Sequence, residues 1–182
     1  MRRLVPAALL FALAFPAAAA DYVQAPGSTL AFAGKYQDEV FTGRFPGFDT
    51  RLSFDPARLA DAKLNVTIPL ATATTGNADY DDNLRGGDFL DTAQFAQARY
   101  TATRFRALGG NQYAADGTLS LHGVSKPVTL TFTWTPGARP VLSGKATVKR
   151  LDFGVGGGDW ADTGLIPDAI AVSTKVMLQP AP

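Results

Sequence analysis

Cysteine is absent from the 182-residue chain, and histidine and glutamate occur once each, as His122 and Glu39. Without thiols there is no disulfide and no thiolate metal site, so stability must come from a packed core, which a chain of this length has enough surface to build. A lone imidazole leaves little to assemble a histidine metal site or a hydrolytic triad. His122 sits in Leu121-His122-Gly123, read as the turn between two strands, and is expected to hydrogen-bond local backbone, with Ser120 and Ser125 its neighbours in sequence only. Asp81-Asp82 lacks the spacing and glycine of a calcium loop. With a single glutamate and no cluster of aromatic sugar platforms, a glycosidase carboxylate pair is disfavoured. The run Gly154-Val155-Gly156-Gly157-Gly158 precedes no helix start of the Lys-Ser or Lys-Thr kind, so it reads as a flexible strand connection rather than a phosphate cradle. The net charge of +1 excludes a strongly cationic nucleic-acid binder. These scarcities predict no catalytic residue, no metal and no resident cofactor.

Long hydrophobic runs are scarce as well. The one candidate extends from Leu4 to Phe15 behind Arg2 and Arg3, and Pro6 and Pro16 bracket too few apolar residues for a membrane span. Ala18, Ala19 and Ala20 supply the small residues a signal peptidase accepts, so residues 1–20 are expected to be a cleaved leader and residues 21–182 one domain. No cysteine follows for lipid attachment. Removing Arg2 and Arg3 leaves 15 basic against 16 acidic residues, a net charge of −1. The leader predicts a periplasmic location, or secretion beyond it.

What the remaining chain has in abundance is alternation. Leu64, Val66, Ile68 and Leu70 alternate with other residues, and Val128, Leu130, Phe132 and Trp134 interleave with Thr129, Thr131, Thr133 and Thr135. Similar runs hold Leu30 and Phe32; Phe41, Gly43 and Phe45; Leu52 and Phe54; Tyr100 to Phe105; Gln112 to Leu121; Val141 to Lys149; and Ile170 to Leu178. About eight strands with one apolar face each, and no long amphipathic helix to cover them, predict an all-β antiparallel sheet closed as a barrel. The exception is the polar stretch from Thr75 to Phe95. It predicts one or two helical turns broken at Gly86 and Gly87, forming a lid over one barrel end with Leu84 and Phe89 turned inward.

Charge is uneven too. Five aspartates lie between positions 79 and 91, whereas Arg99 to Arg150 is a basic stretch with Asp116 as its only acid. Such a stretch suits either a solvated strand surface or a phosphate-bearing partner. Arg104 and Arg106 flank Phe105, so unless the strand bulges, one type must face inward, which makes this a candidate polar contact at a tunnel mouth.

Several motifs together resemble the YceI-like family of polyisoprenoid-binding, lipocalin-like periplasmic proteins. They are Ser28-Thr29-Leu30-Ala31-Phe32, Gly43-Arg44-Phe45 with Phe48, Phe54-Asp55-Pro56, Asp82-Asn83-Leu84-Arg85 followed by Asp88-Phe89-Leu90-Asp91, Gly117 through Val128, and Arg150-Leu151-Asp152-Phe153-Gly154. The chain departs from the family at Phe95-Ala96, where an aromatic followed by proline is common. The resemblance implies an extended eight-stranded antiparallel barrel around a tunnel for a long apolar chain, such as an isoprenoid or a quinone tail, and frequent homodimers.

The expected tunnel lining is the set of large inward residues: Phe32, Phe45, Phe54, Ile68, Leu84, Phe89, Tyr100, Leu130, Phe132, Trp134, Phe153 and Trp160. On this reading the partner is a long-chain lipid, with the inner-membrane surface as a further candidate and no nucleic acid. The alternative is a non-catalytic stress-response or interaction module whose barrel core is filled by the same side chains.

Overall fold

The alternating runs become strands because burying every second residue satisfies both faces of a pleated sheet. In the computed structural model, which describes residues 20–37 and 39–182, Leu130, Phe132 and Trp134 are buried while Thr129, Thr131, Thr133 and Thr135 are exposed. The expected leader, apart from Ala20, lies outside the described residues.

Among the described residues, ten strands form one antiparallel sheet: β1 (Ala20–Gln24), β2 (Thr29–Tyr36), β3 (Glu39–Arg44), β4 (Asp49–Phe54), β5 (Lys63–Pro69), β6 (Gln97–Gly109), β7 (Gln112–Leu121), β8 (Val124–Thr135), β9 (Val141–Lys149) and β10 (Ala169–Pro180). They occupy eight positions around a closed barrel. β1 and β2 both pair with β10, through Gln24 opposite Leu178 and Thr29 opposite Lys175, so they are one broken strand. β3 pairs with β2 and β4 with β1, so they make a second broken strand. The breaks fall at Ala25-Pro26-Gly27-Ser28 and Phe45-Pro46-Gly47-Phe48, where each proline lacks the N–H that a ladder requires. The ring closes where β1 meets β10.

β6 does bulge. Its register shifts between Ala102 and Arg104, which buries Phe105 and leaves Arg104 and Arg106 outside. Arg106 holds Asp116 on β7 through two bonds, Nε to Oδ2 at 2.9 Å and Nη2 to Oδ1 at 3.2 Å, and Thr129 donates to the same carboxylate. The inward polar contact expected at these arginines is therefore absent: the pair braces the outer surface.

The segment between β5 and β6 covers one end of the barrel. Thr74 exchanges backbone hydrogen bonds with Arg44, extending the upper rim beyond β3. Helix α1 (Ala78–Arg85) follows, its N-terminus capped by Asn77 Oδ1 accepting from the Asp79 and Tyr80 amides. It ends at Gly86, as the sequence predicts. Asp81, on the buried face, accepts from Thr74 Oγ1 at 2.7 Å and from the Thr75 amide and hydroxyl. Those bonds, with Thr74's the largest influence, hold its carboxyl down at about 2. Asp81 thus fastens α1 to the strand-like segment that docks on β3.

Candidate functional site

Inside the barrel, the two ends are filled differently. At the end carrying the β6–β7 and β8–β9 turns, Phe54 is surrounded by rings: Trp134 at 4.9 Å between centroids, Tyr113 at 5.1 Å, Phe132 at 5.6 Å and Phe105 at 5.9 Å. Tyr22 packs on Trp134 at 5.6 Å. All except Tyr22 are at most 8% exposed. This end is a solid aromatic floor.

The lid end is hollow. A cavity of about 240 Å³ lies above the floor, with walls from nearly every strand, the lid and the 150–168 loop. Glycines explain how it stays open. Phe32 faces Gly43 across the β2–β3 ladder, and Gly34 faces Phe41. A Cβ on Gly43 would stand 2.1 Å from the Phe32 ring, and one on Gly34 would stand 2.6 Å from that of Phe41. Gly117 gives Tyr100 the same room, at 2.6 Å. Each ring therefore lies against bare backbone instead of projecting across the lumen.

The wall is almost wholly apolar, and its few polar groups are largely engaged elsewhere. Tyr100 Oη donates within 2.8 Å of Ala115 O and 3.0 Å of Val128 O, and burial pushes the phenol up to about 12. Thr174 Oγ1 bonds Thr29 O. Thr50 Oγ1 is buried without a partner.

Among the described residues, Arg150 is the one charged residue in the wall. It is 4% exposed, and backbone carbonyls take all five of its N–H groups: Pro167 on Nε, Val155 and Gly156 on Nη1, Trp160 and Ile166 on Nη2. Burial without a bonded carboxylate lowers its pKa, and the charge of nearby Asp168 opposes that shift. The glycine run, expected to be a flexible connection, is instead folded around this guanidinium: Gly154, Gly156 and Gly158 all have positive φ, and a Cβ at Gly156 would meet Arg150 Nη1 at 2.6 Å. With no donor to spare, Arg150 organises the loop and leaves the basic stretch without its only inward member as a phosphate ligand.

His122 has positive φ in the β7–β8 turn, packs its ring at a tilt against Phe95 with 4.6 Å between centroids and places Nδ1 3.1 Å from Phe153 O. That partner is distant in sequence, so the local backbone bond expected for it does not form. A carbonyl only accepts, so Nδ1 carries the proton, and Nε2 is buried with no partner. Neither Ser120 nor Ser125 bonds it. Among the described residues, no group of three or more His, Asp or Glu is placed to hold a metal ion.

Of the residues expected to line a tunnel, Phe32, Phe45, Ile68, Leu84, Phe89, Tyr100 and Leu130 face the cavity. Phe54, Phe132 and Trp134 do not: they make the floor, so the space is a blind pocket rather than a through tunnel. Phe153 is buried in a short 3-10 turn, packed in the core beside the cavity, with its carbonyl serving His122. Trp160 stands at the rim, 5.4 Å from Phe89 and 6.5 Å from Tyr36, and donates Nε1 to Asp88. It joins the lid, the 150–168 loop and the β2–β3 hairpin. Choosing the largest inward side chains overlooked much of the actual wall, including Leu30, Leu119, Val128, Val148, Ile170 and Val172. The signal for these was the same alternation, carried by smaller residues.

Comparisons with known proteins agree with the architecture. The family model for the YceI-like domain matches residues 22–178. A UPF0312 protein of Shewanella baltica strain OS185 is 32% identical over 164 residues, covering 84% of each chain, and one of Vibrio campbellii is 34% identical over 68% of this chain and 67% of its own. Among solved structures, Burkholderia cenocepacia BcnA superposes with a TM-score of 0.79 at 29% identity, over 82% of this chain and 95% of its own. A polyisoprenoid binding domain from Saccharophagus degradans has the same fold, with a TM-score of 0.68 at 17% identity over 89% and 99% of the two chains. By its matched domain and the closed antiparallel barrel, the chain belongs to the YceI-like family.

Proposed function

We propose that the chain is a binding protein rather than an enzyme, and that its upper cavity holds the apolar chain of an amphiphilic lipid such as an isoprenoid or a quinone. The observation that carries this is the wall itself: a cavity of about 240 Å³ in which nearly every polar atom is already bonded to protein. Such a surface offers no group for chemistry and rewards hydrocarbon. At about 25 cal/mol per Å² removed from water, a chain burying several hundred Å² gains several kcal/mol before ordering costs. The Saccharophagus degradans domain of the same fold is described as polyisoprenoid binding; for this chain the argument rests on its own wall. The filled-core alternative draws support from the ring cluster around Phe54, and the cavity above it supports the lipid reading instead.

The proposal extends to a carrier exported by the residue 1–20 leader to the periplasm, exchanging its ligand at the inner-membrane surface, with homodimers as a further expectation from the family. Among the described residues no helix is long and apolar enough to cross a membrane. The test is mass spectrometry of the organic extract of natively purified protein. An apolar-chain amphiphile in stoichiometric amount is the expected result. Consistently empty protein that also takes up no offered polyprenol overturns the proposal.

A further inference from the structure

We infer that the aromatic floor gauges chain length, so that the pocket accepts a short apolar segment and leaves any longer remainder outside. This rests on the reading that the cavity binds an apolar chain. Cavity and floor meet abruptly along one strand: on β8, Val128 and Leu130 face the cavity, whereas Phe132 and Trp134 belong to the floor. One inward step on a strand is about 7 Å, so the change from open to closed takes a single step. The rings below interlock around Phe54, and only the smaller Leu142, in register with Trp134, and Val176, in register with Leu142, still reach the cavity wall at this level.

Volume sets the gauge. With a chain carbon needing about as much room as a water molecule, roughly 30 Å³, 240 Å³ corresponds to on the order of ten carbons. That is a few isoprene units or one fatty chain. A long polyprenyl tail therefore has to bind by one end, with the rest emerging at the rim beside Trp160. The ligand class singled out is an amphiphile with a short apolar chain, or the terminus of a longer one.

Binding of a homologous series of unbranched primary alcohols, extended well past this capacity, tests the inference. Within the capacity, each added methylene tightens binding about fourfold, and beyond it the gain stops. Phe132→Ala removes part of the floor and moves the break to longer alcohols. Ala146→Phe fills part of the wall and moves it to shorter ones, and it supplies the test by itself if Phe132→Ala does not fold. An affinity that keeps climbing past the capacity in the wild type, or a break that stays put in Ala146→Phe, overturns the gauge. Failure of alcohols of every length to bind overturns instead the lipid-binding reading beneath it.

Discussion

The floor and the cavity of this barrel are built from the same kind of strand, yet one is solid and the other hollow. Both present large side chains inward. At the floor, Phe54, Phe105, Tyr113, Phe132 and Trp134 meet each other, so ring fills ring. Around the cavity, Phe32, Phe41 and Tyr100 meet Gly43, Gly34 and Gly117, so ring covers backbone. Side-chain size alone does not decide whether a small barrel has a lumen; what each ring packs against does.

That contrast is most sharply broken at Phe54. Phe54→Ala removes the hub of the floor and is expected to cost about 3–5 kcal/mol of unfolding free energy, the range for a large aromatic deleted from a packed core, read by chemical denaturation. A loss well below 1 kcal/mol would mean the floor is not the tightly packed end. At Gly43 the order of effects reverses. Gly43→Ala forces the Phe32 ring off the sheet and into the lumen, so lipid uptake should fall at least tenfold while stability falls by about 1–3 kcal/mol. Gly87→Ala, where an added Cβ meets nothing within 4 Å, is the control and should leave uptake unchanged.

Acid tests the lid above the cavity. Asp81 and Asp116 have folded-state pKa values of about 2, below the ordinary 3.8. Depressed carboxylates add stability that is fully present above pH 4 and is lost as pH falls through about 2. Asp81→Asn should remove the lid's share of this acid sensitivity, and at neutral pH it should speed amide exchange in residues 75–85 without changing the exchange of β8. Equal protection of α1 in the variant and the wild type would show that the Thr74 and Thr75 bonds do not fasten the lid. The smallest effect is expected outside the barrel: Arg106→Ala breaks an exposed ion pair and should barely move the denaturation midpoint in moderate salt.

How much of this was legible beforehand follows from what a sequence pattern can express. Alternation along Val128 to Thr135 fixes which side chains point inward, and the polar stretch at 75–95 marks the lid, because both are local properties. Pairing is not local. That Leu52 and Phe54 continue the strand of Phe41 and Gly43 depends on β1 and β2 sharing β10, which no run of residues records. The split between floor and cavity was hidden for the same reason: Phe32 and Phe132 each face a glycine across a ladder, and they look alike until the Phe32 ring is found lying over Gly43 and the Phe132 ring among other rings. Arg150 reads as one more basic residue on a strand end. Its burial becomes visible only when the glycine run is seen to turn its carbonyls inward.

The two tryptophans sit at opposite ends of the proposed ligand path, Trp134 in the floor and Trp160 at the rim. Single-tryptophan proteins, Trp160→Phe and Trp134→Phe, can be titrated with a short-chain amphiphile brominated either at the chain terminus or beside the headgroup. The account predicts that terminal bromine quenches Trp134 more strongly than Trp160, and that headgroup bromine does the reverse. Terminal bromine that quenches only Trp160, or saturable binding that quenches neither, would contradict it.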